Sequence, residues 1–402
     1  MDHGRRVAYL TYKALKRQGK HSDDCIAKLS VLALLHDIGA YKTEEIDKMV
    51  QFETERVWGH SIYGYLFIKH FSPLKEMAPI ILFHHASCNE LSYLHPSFRE
   101  EAQIIHVADR LDILSQTRRG DTSSFRQYFD QRRDVMFASD MVDLFFHEGW
   151  ERLFDAIDTD EAFNRALYDG NFSDQDVDAF IRMIALSIDF RSPQTVTHTL
   201  TSTCVCKIVS RYLPIDPDEL KHISAGVMLH DLGKVGIPFE ILEKPDRLSE
   251  DEMAVMRNHV SITEDILADY ADQRWVQLAA RHHEKLNGTG YPKGLTAKDL
   301  TMGQRLVAVA DIFSALCGVR TYKDSFPKDK VIGILNDMCQ KELIDPTIVS
   351  TVIAHYDHLI DEVEKTTRPI LAVYETIRAE NDALLERADR FSDGRGSGEI
   401  TA

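Results

Sequence analysis

Apolar positions recur at helical spacing along most of the chain. Ile26–Leu35, Val177–Ile188 and Ser224–Leu232 each place aliphatic side chains three and four residues apart, the stripe that an amphipathic helix buries. Long alternating runs of β-branched residues, the mark of strands, are lacking. Turn signals interrupt the pattern at Gly39, Ser72-Pro73, Asp169-Gly170-Asn171, Leu213-Pro214, Asp216-Pro217 and the dense stretch Asn287–Gly294. Residues 118–180 read as polar amphipathic helix rich in Asp and Phe, closing one domain and connecting to the next. The Gly/Ser-rich tail after Phe391 is expected to be disordered. The pattern predicts an all-α protein.

The polar positions carry a second regularity. The first half reads DHGRRVAYL, LALLHDIGA, WGHSIYGYL, ILFHHAS and IIHVADRLDIL; the second reads VTHTLTSTC, GVMLHDLGK, RNHVSIT, AARHHE and RLVAVADIFSAL. His3 and His36 are 33 residues apart, His198 and His230 are 32 apart, and the later gaps stay close. Ten of the eighteen histidines fall into this ordered series, which makes the chain two tandem domains by duplication.

Composition narrows the function. With 402 residues the chain can bury more than one core. Basic residues number 47 against 64 acidic, a formal net charge of −17, which argues against a nucleic-acid polymer or an anionic membrane as partner. No apolar run reaches the ~20 residues of a membrane span. The opening MDHGRRVAYL has no signal-peptide core. Six cysteines without a C-x-x-C pair suit reduced thiols and a cytoplasmic protein. Cys204 and Cys206 read as one reduced helix face.

Each repeat supplies five His and two Asp: His3, His36, Asp37, His60, His84, His85 and Asp109, then His198, His230, Asp231, His259, His282, His283 and Asp311. Imidazole with carboxylate suits Mn, Fe, Ni or Zn. An adjacent His-Asp on a helix points its side chains ~100° apart, so both reach one cluster. One carboxylate can bridge two ions, and two ions ~3.5–4 Å apart activate water and clamp a phosphoryl group.

The second repeat resembles the HD-GYP family of bacterial cyclic-dinucleotide phosphodiesterases, a subgroup of the HD metallophosphohydrolase superfamily. The resemblance runs from about Phe190 to Asp357 through LHDLGKVGIP at 229–238, RHHEKLNGTGYPKGL at 281–295, RLVAVADIFSAL at 305–316 and RTYK at 320–323. It implies one metal on His198, His230, Asp231 and Asp311, and another on His259, His282, His283 and the bridging Asp231. Catalysis falls to Asp231 and Lys234, the lysine touching the scissile phosphate or the leaving oxygen. Gly290, Tyr291 and Pro292 of the glycine-rich loop, with Arg320 and Lys323, are the implied substrate-binding residues. Where some members carry a Glu that helps to hold a third metal, this chain has Gln194, so two divalent ions such as Mn, Fe or Ni are expected per active site. Ser314, Cys317 and Gly318 replace an acidic residue and hydroxyls more usual in the family, which bears on substrate preference.

The first repeat is similar to the wider superfamily. It keeps every ligand equivalent but has Ala40 in place of the lysine and no glycine-rich loop. Two readings stand: a metal site acting on another phosphate, such as a nucleotide monoester, or a structural or regulatory pseudo-domain. His3 lies so near the start that the natural chain is expected to extend upstream, or the site to close loosely. The expected layout is an HD domain at 1–165, a helical connector at 166–189, an HD-GYP domain at 190–370 and a C-terminal helix and tail at 371–402. Within that tail the amphipathic stretch Leu371–Arg387 is expected to pack on its own domain. The fold expected is two tandem HD-type helical bundles with buried binuclear metal sites. The activity implied is hydrolysis of 3'3'-cyclic GMP-AMP or cyclic di-GMP to a linear 5'-phosphorylated dinucleotide; the competing class is a non-catalytic sensor of the same ligands. A homodimer is compatible with the sequence.

Overall fold

The computed structural model describes residues 3–42, 58–88, 90–93, 96–117, 122–148, 150–157, 159–168, 172–190, 195–244, 246–268, 272–317 and 326–392. Every regular element among them is an α- or 3-10 helix, with two isolated bridges, Arg133–Phe137 and Asn287–Thr296. No helix among the described residues is long and apolar enough to cross a membrane. All six cysteines are free, Cys206 buried and Cys204 half-buried. The chain divides into two compact units, residues 1–180 with 377–402, and residues 181–376.

In the first unit the helices His3–Gln18, Asp23–Leu34, Trp58–Phe71, Ala78–Leu82 and Pro96–Thr117 carry the duplicated motifs. Their apolar faces meet around Leu10, Leu15, Leu32, Phe67, Ile81, Ile104 and Leu111, all fully or almost fully buried. Ser22 caps the second helix, accepting from Cys25 N at 3.3 Å. The Phe-rich stretch after residue 118 is more than a connector. Phe125, Phe129, Phe137, Phe145, Phe146, Trp150 and Phe163 are buried, with Phe129 and Phe137 4.8 Å apart and Phe146 4.7 Å from Trp150.

The second unit repeats the order with His198–Val209, Pro217–Met228, Glu250–Ala268, Gln273–Ala279 and Met302–Cys317. Its core gathers Val205, Val209, Ile223, Leu306, Val309 and Phe313 with Leu335, Ile348, Val352 and Leu359. Asp216-Pro217 and Asp345-Pro346 prove to be helix starts. Asp216 accepts from Asp218 N and Glu219 N, Asp345 from Thr347 N and Ile348 N, and each proline occupies a position whose N–H has no helical partner.

Two expectations need correction. The apolar spacing of Ser224–Leu232 suggested a helix carrying His230 and Asp231, yet the helix ends at Met228 and both residues lie in a turn before the 3-10 helix Leu232–Gly236. His36 and Asp37 sit likewise between Leu34 and the 3-10 helix Ile38–Lys42. The reason is contact. A Cβ on Gly233 would come within 1.9 Å of His259 O, and one on Gly39 within 2.0 Å of His60 O, so backbone meets backbone where a continued helix would present side chains. The amphipathic C-terminal stretch does not stay with its own domain either. The helix Tyr356–Ser392 counts with the first unit from Ile377, where Glu380 accepts from Lys69 at 3.1–3.2 Å and stands 3.3 Å from His70 Nε2.

Candidate metal centres

Most of the histidines in the duplicated motifs stand at or just beyond a helix C-terminus. There the last-turn carbonyls have spare acceptor capacity, and the rings use it. His36 Nδ1 lies 2.8 Å from Ala33 O, His84 Nδ1 2.6 Å from Ile81 O, His230 Nδ1 2.7 Å from Val227 O and His282 Nδ1 2.6 Å from Ala279 O. His259, inside its helix, makes the same bond to Met256 O at 2.7 Å. A carbonyl can only accept, so each Nδ1 carries a proton and Nε2 is the ring nitrogen turned inward.

The second unit brings all seven residues together. His198, His230 and Asp231 form one potential metal-holding group, and His259, His282 and His283 another. Asp231 spans them, with Oδ2 3.3 Å from His230 Nε2 and 3.5 Å from His198 Nε2, and Oδ1 3.5 Å from His259 Nε2. Asp311 Oδ1 lies 3.1 Å from His198 Nε2, and its Oδ2 3.8 Å from His283 Nδ1.

The first unit brings the corresponding seven residues together, with its aspartates divided differently between the two groups. Its groups are His3, His36 and Asp109, and Asp37, His60, His84 and His85. Asp37 Oδ2 stands 3.2 Å from His36 Nε2, Asp37 Oδ1 3.8 Å from His60 Nε2, and Asp109 Oδ1 3.2 Å from His3 Nε2.

These residues fit metal ions. His259 Nε2 and His282 Nε2 are 3.3 Å apart although both rings have committed their proton to a carbonyl, so two lone pairs face each other. A divalent cation between them converts that repulsion into coordination. In the first unit His36 Nε2, His84 Nε2, Asp37 Oδ1 and Asp109 Oδ2 are buried and make no hydrogen bond. Burial, reinforced by neighbouring histidines, pulls His84 down to about 3; burial does the same to His283. Both are thus in the neutral, metal-binding form. Burial opposes charge on His230 too, but Asp231 and Asp311 raise it to about 10, so the carboxylates create a field that demands positive charge at that ring.

The partners that orient the first histidine of each set escaped the sequence reading. His3 Nδ1 pairs with Asp112 Oδ2 at 2.8 Å, and His198 Nδ1 with Ser314 Oγ at 2.6 Å. Both partners stand three residues after the aspartate ligand, on the same helix face, and that spacing was visible. Ser314 is buried and also bonds Ser202 Oγ at 3.0 Å, so it serves the ligand shell.

Around the second cluster, Lys234 Nζ lies 2.6 Å from Asp231 Oδ2, with 18% of its side chain exposed. Burial disfavours its charge, but Asp231, Asp189 and Asp311 raise it above the ordinary lysine value. The glycine-rich loop is pinned by Glu284, a buried carboxylate that accepts from Lys293 N at 2.7 Å and Leu295 N at 2.8 Å. Gly290 fits because a Cβ there would come within 2.3 Å of Lys285 N. Tyr291 lies against His283 of the cluster, ring centroids 4.7 Å apart, and Arg257 covers its ring at 5.3 Å. Pro292, after a cis peptide bond, is exposed. Gln194, Gly318, Arg320 and Lys323 lie outside the described residues. In the first unit Ala40 is buried where Lys234 stands in the second.

Residues 1–114 match the HD domain family, and residues 178–348 match a second HD domain family. The chain is 25% identical over 376 residues to a 3'3'-cGAMP-specific phosphodiesterase 1 of Vibrio cholerae, covering 88% of this chain and 86% of that one. It is 34% identical over 174 residues to the cyclic di-GMP phosphodiesterase response regulator RpfG of Xanthomonas campestris, over 42% of this chain and less than half, 46%, of that protein. Among solved structures, a cyclic GMP-AMP-specific phosphodiesterase of V. cholerae, V-cGAP3, superposes with a TM-score of 0.54 at 19% identity, over 88% of this chain and 92% of that one. Duplicated ligand clusters, an all-helical fold and both family matches agree: the chain belongs to the HD-domain proteins and carries two HD domains in tandem.

Proposed function

We propose that the second HD domain is a metal-dependent phosphodiesterase that opens a 3'3'-linked cyclic dinucleotide, cyclic GMP-AMP or cyclic di-GMP, to a linear 5'-phosphorylated dinucleotide. The carrying observation is the second cluster itself: Asp231 divides its two oxygens between two histidine groups, with Lys234 beside it. The named activities of the V. cholerae and X. campestris relatives support the same reading. Two divalent ions such as Mn, Fe or Ni would be held by His198, His230, Asp231 and Asp311, and by His259, His282, His283 and Asp231. Bound there, they would lower the pKa of water and polarise a phosphoryl oxygen.

The remaining work falls to the protein. Lys234 Nζ is placed to hold a non-bridging oxygen and to pass a proton to the leaving 3'-oxygen. Gly290, Tyr291 and Pro292 would shape the cleft against His283, and Arg320 and Lys323 would hold the flanking phosphate. A small dinucleotide also suits a chain of net charge −17, which would repel a polymer. Each of the two compact units carries one complete set of motifs. The first domain, with its ligand set intact, would remove the 5'-phosphate of the linear product.

Product chromatography with Mn²⁺ tests both steps. Wild type should convert cyclic GMP-AMP or cyclic di-GMP, and His230→Ala/Asp231→Ala should abolish ring opening. His36→Ala/Asp37→Ala should stop release of inorganic phosphate while ring opening continues. Tight binding of either ligand without turnover by wild type would replace the enzyme with a sensor.

A further inference from the structure

We infer that Arg110 is the phosphate-binding cation of the first metal centre, and that it suits this centre to a terminal phosphate monoester. The inference rests on reading the first domain as a phosphate site. The duplication supplies the argument. Measured from the His-Asp pair, Lys234 in the second unit corresponds to Ala40 in the first, so the first centre lacks that cation. Measured from the aspartate on the last helix of each repeat, Arg110 corresponds to Ile312. A positive charge has been lost from one wall of the site and gained on another.

Its position fits the role. Arg110 Nη2 lies 3.4 Å from His85 Nδ1, and Nε lies 3.6 Å from Asp109 Oδ2. The guanidinium therefore stands at the edge of the cluster, touching one member of each metal-holding group. Asp109 pairs with the guanidinium at ion-pair distance and Nη2 donates to His85, so Nη1 and the second Nη2 hydrogen are the donors left for a phosphate. Fifteen per cent of the Arg110 side chain is exposed, and Asp37 and His3 of the same cluster are 25% and 32% exposed, so solvent reaches the cluster.

The chemistry distinguishes the two centres. A terminal phosphate monoester carries roughly −1.5 to −2 charge near neutral pH and three equivalent oxygens. A planar guanidinium binds two such oxygens at once, whereas an ammonium acts as a point charge. A diester phosphate keeps two non-bridging oxygens for such a fork but carries only one negative charge, so it is held less strongly. Lysine at the diester centre and arginine at the other match that difference.

The test uses the full chain carrying His230→Ala/Asp231→Ala, so that the second centre does not contribute, loaded with Mn²⁺. Inorganic phosphate binding is followed by titration calorimetry and bound metal by elemental analysis. Arg110→Gln should weaken phosphate binding tenfold or more with first-centre metal content unchanged, and Arg110→Lys should fall between. Phosphate affinity within twofold of the parent in Arg110→Gln, no phosphate binding by the parent, or parallel loss of metal and phosphate in both variants would each overturn the assignment. Arg110→Lys keeps the charge and so guards against a folding defect in the glutamine variant. Phosphate release from the linear dinucleotide is scored separately. A parent that binds phosphate through Arg110 but releases none defeats the hydrolytic reading and leaves the anion site standing.

Discussion

At the scale of single residues, the decisive choice is which imidazole nitrogen carries the proton. Five of the clustered histidines settle it with a carbonyl three residues back. His198 relies on Ser314 instead, and such partners typically alter metal affinity about 10–100-fold. Ser314→Ala should therefore weaken metal binding in the second centre by about tenfold, measured by competition with a chromophoric chelator, without touching the first centre. Metal removal should also act on stability. Buried His36 Nε2, His84 Nε2 and Asp37 Oδ1 have no hydrogen bond to replace a lost ion. Stripping with EDTA should lower the melting temperature, and Mn²⁺ should restore it; an unchanged melt would argue that the cluster is indifferent to metal. The two His/Asp clusters were legible because their order occurs twice. Their supports were less so: Asp112 and Ser314 differ chemically, and only the shared i+3 register links them.

At the scale of elements, the turn after the second helix of each repeat governs the site. Hydrophobic spacing ran through Leu232 and could not announce the break, because the cause is a glycine packed against a distant carbonyl. Gly233→Ala and Gly39→Ala should each destabilise the fold by more than about 2 kcal/mol, since a Cβ overlaps backbone atoms that cannot rotate aside. Chemical denaturation measures this, and a loss under about 0.5 kcal/mol for either would contradict the close approach. The glycine-rich loop depends on one carboxylate that motif reading passed over. Glu284→Ala removes the acceptor for Lys293 N and Leu295 N. It should raise KM for ring opening about tenfold, with metal content retained. A fall in kcat alone would mean that Glu284 acts on the metal ligands instead.

At the scale of the whole molecule, duplication made two units legible, while the fate of the last helix was not. An apolar stripe states that a helix has a face to bury but does not name the surface that covers it. In the structure, Ile377, Leu384 and Ala388 are buried and Glu380 accepts from Lys69. At about 1.5–3 kcal/mol for a large aliphatic side chain, this segment contributes several kcal/mol to the first unit. Deleting residues 377–402 should lower the calorimetric transition of the first unit and leave ring opening by the second in place. Survival of both transitions would show the segment to be dispensable.

That borrowed segment also bears on the order in which the protein is made. Chains emerge from the ribosome N-terminus first, and domains usually fold as they appear. The seven ligands of the first centre are all synthesised by Asp109, yet the segment that completes their unit begins at Ile377. Synthesis must pass through the entire second unit before the first can close its core. The unit made first is thus the one finished last, and a ribosome stalled short of Ile377 leaves only the second unit with its full complement of residues.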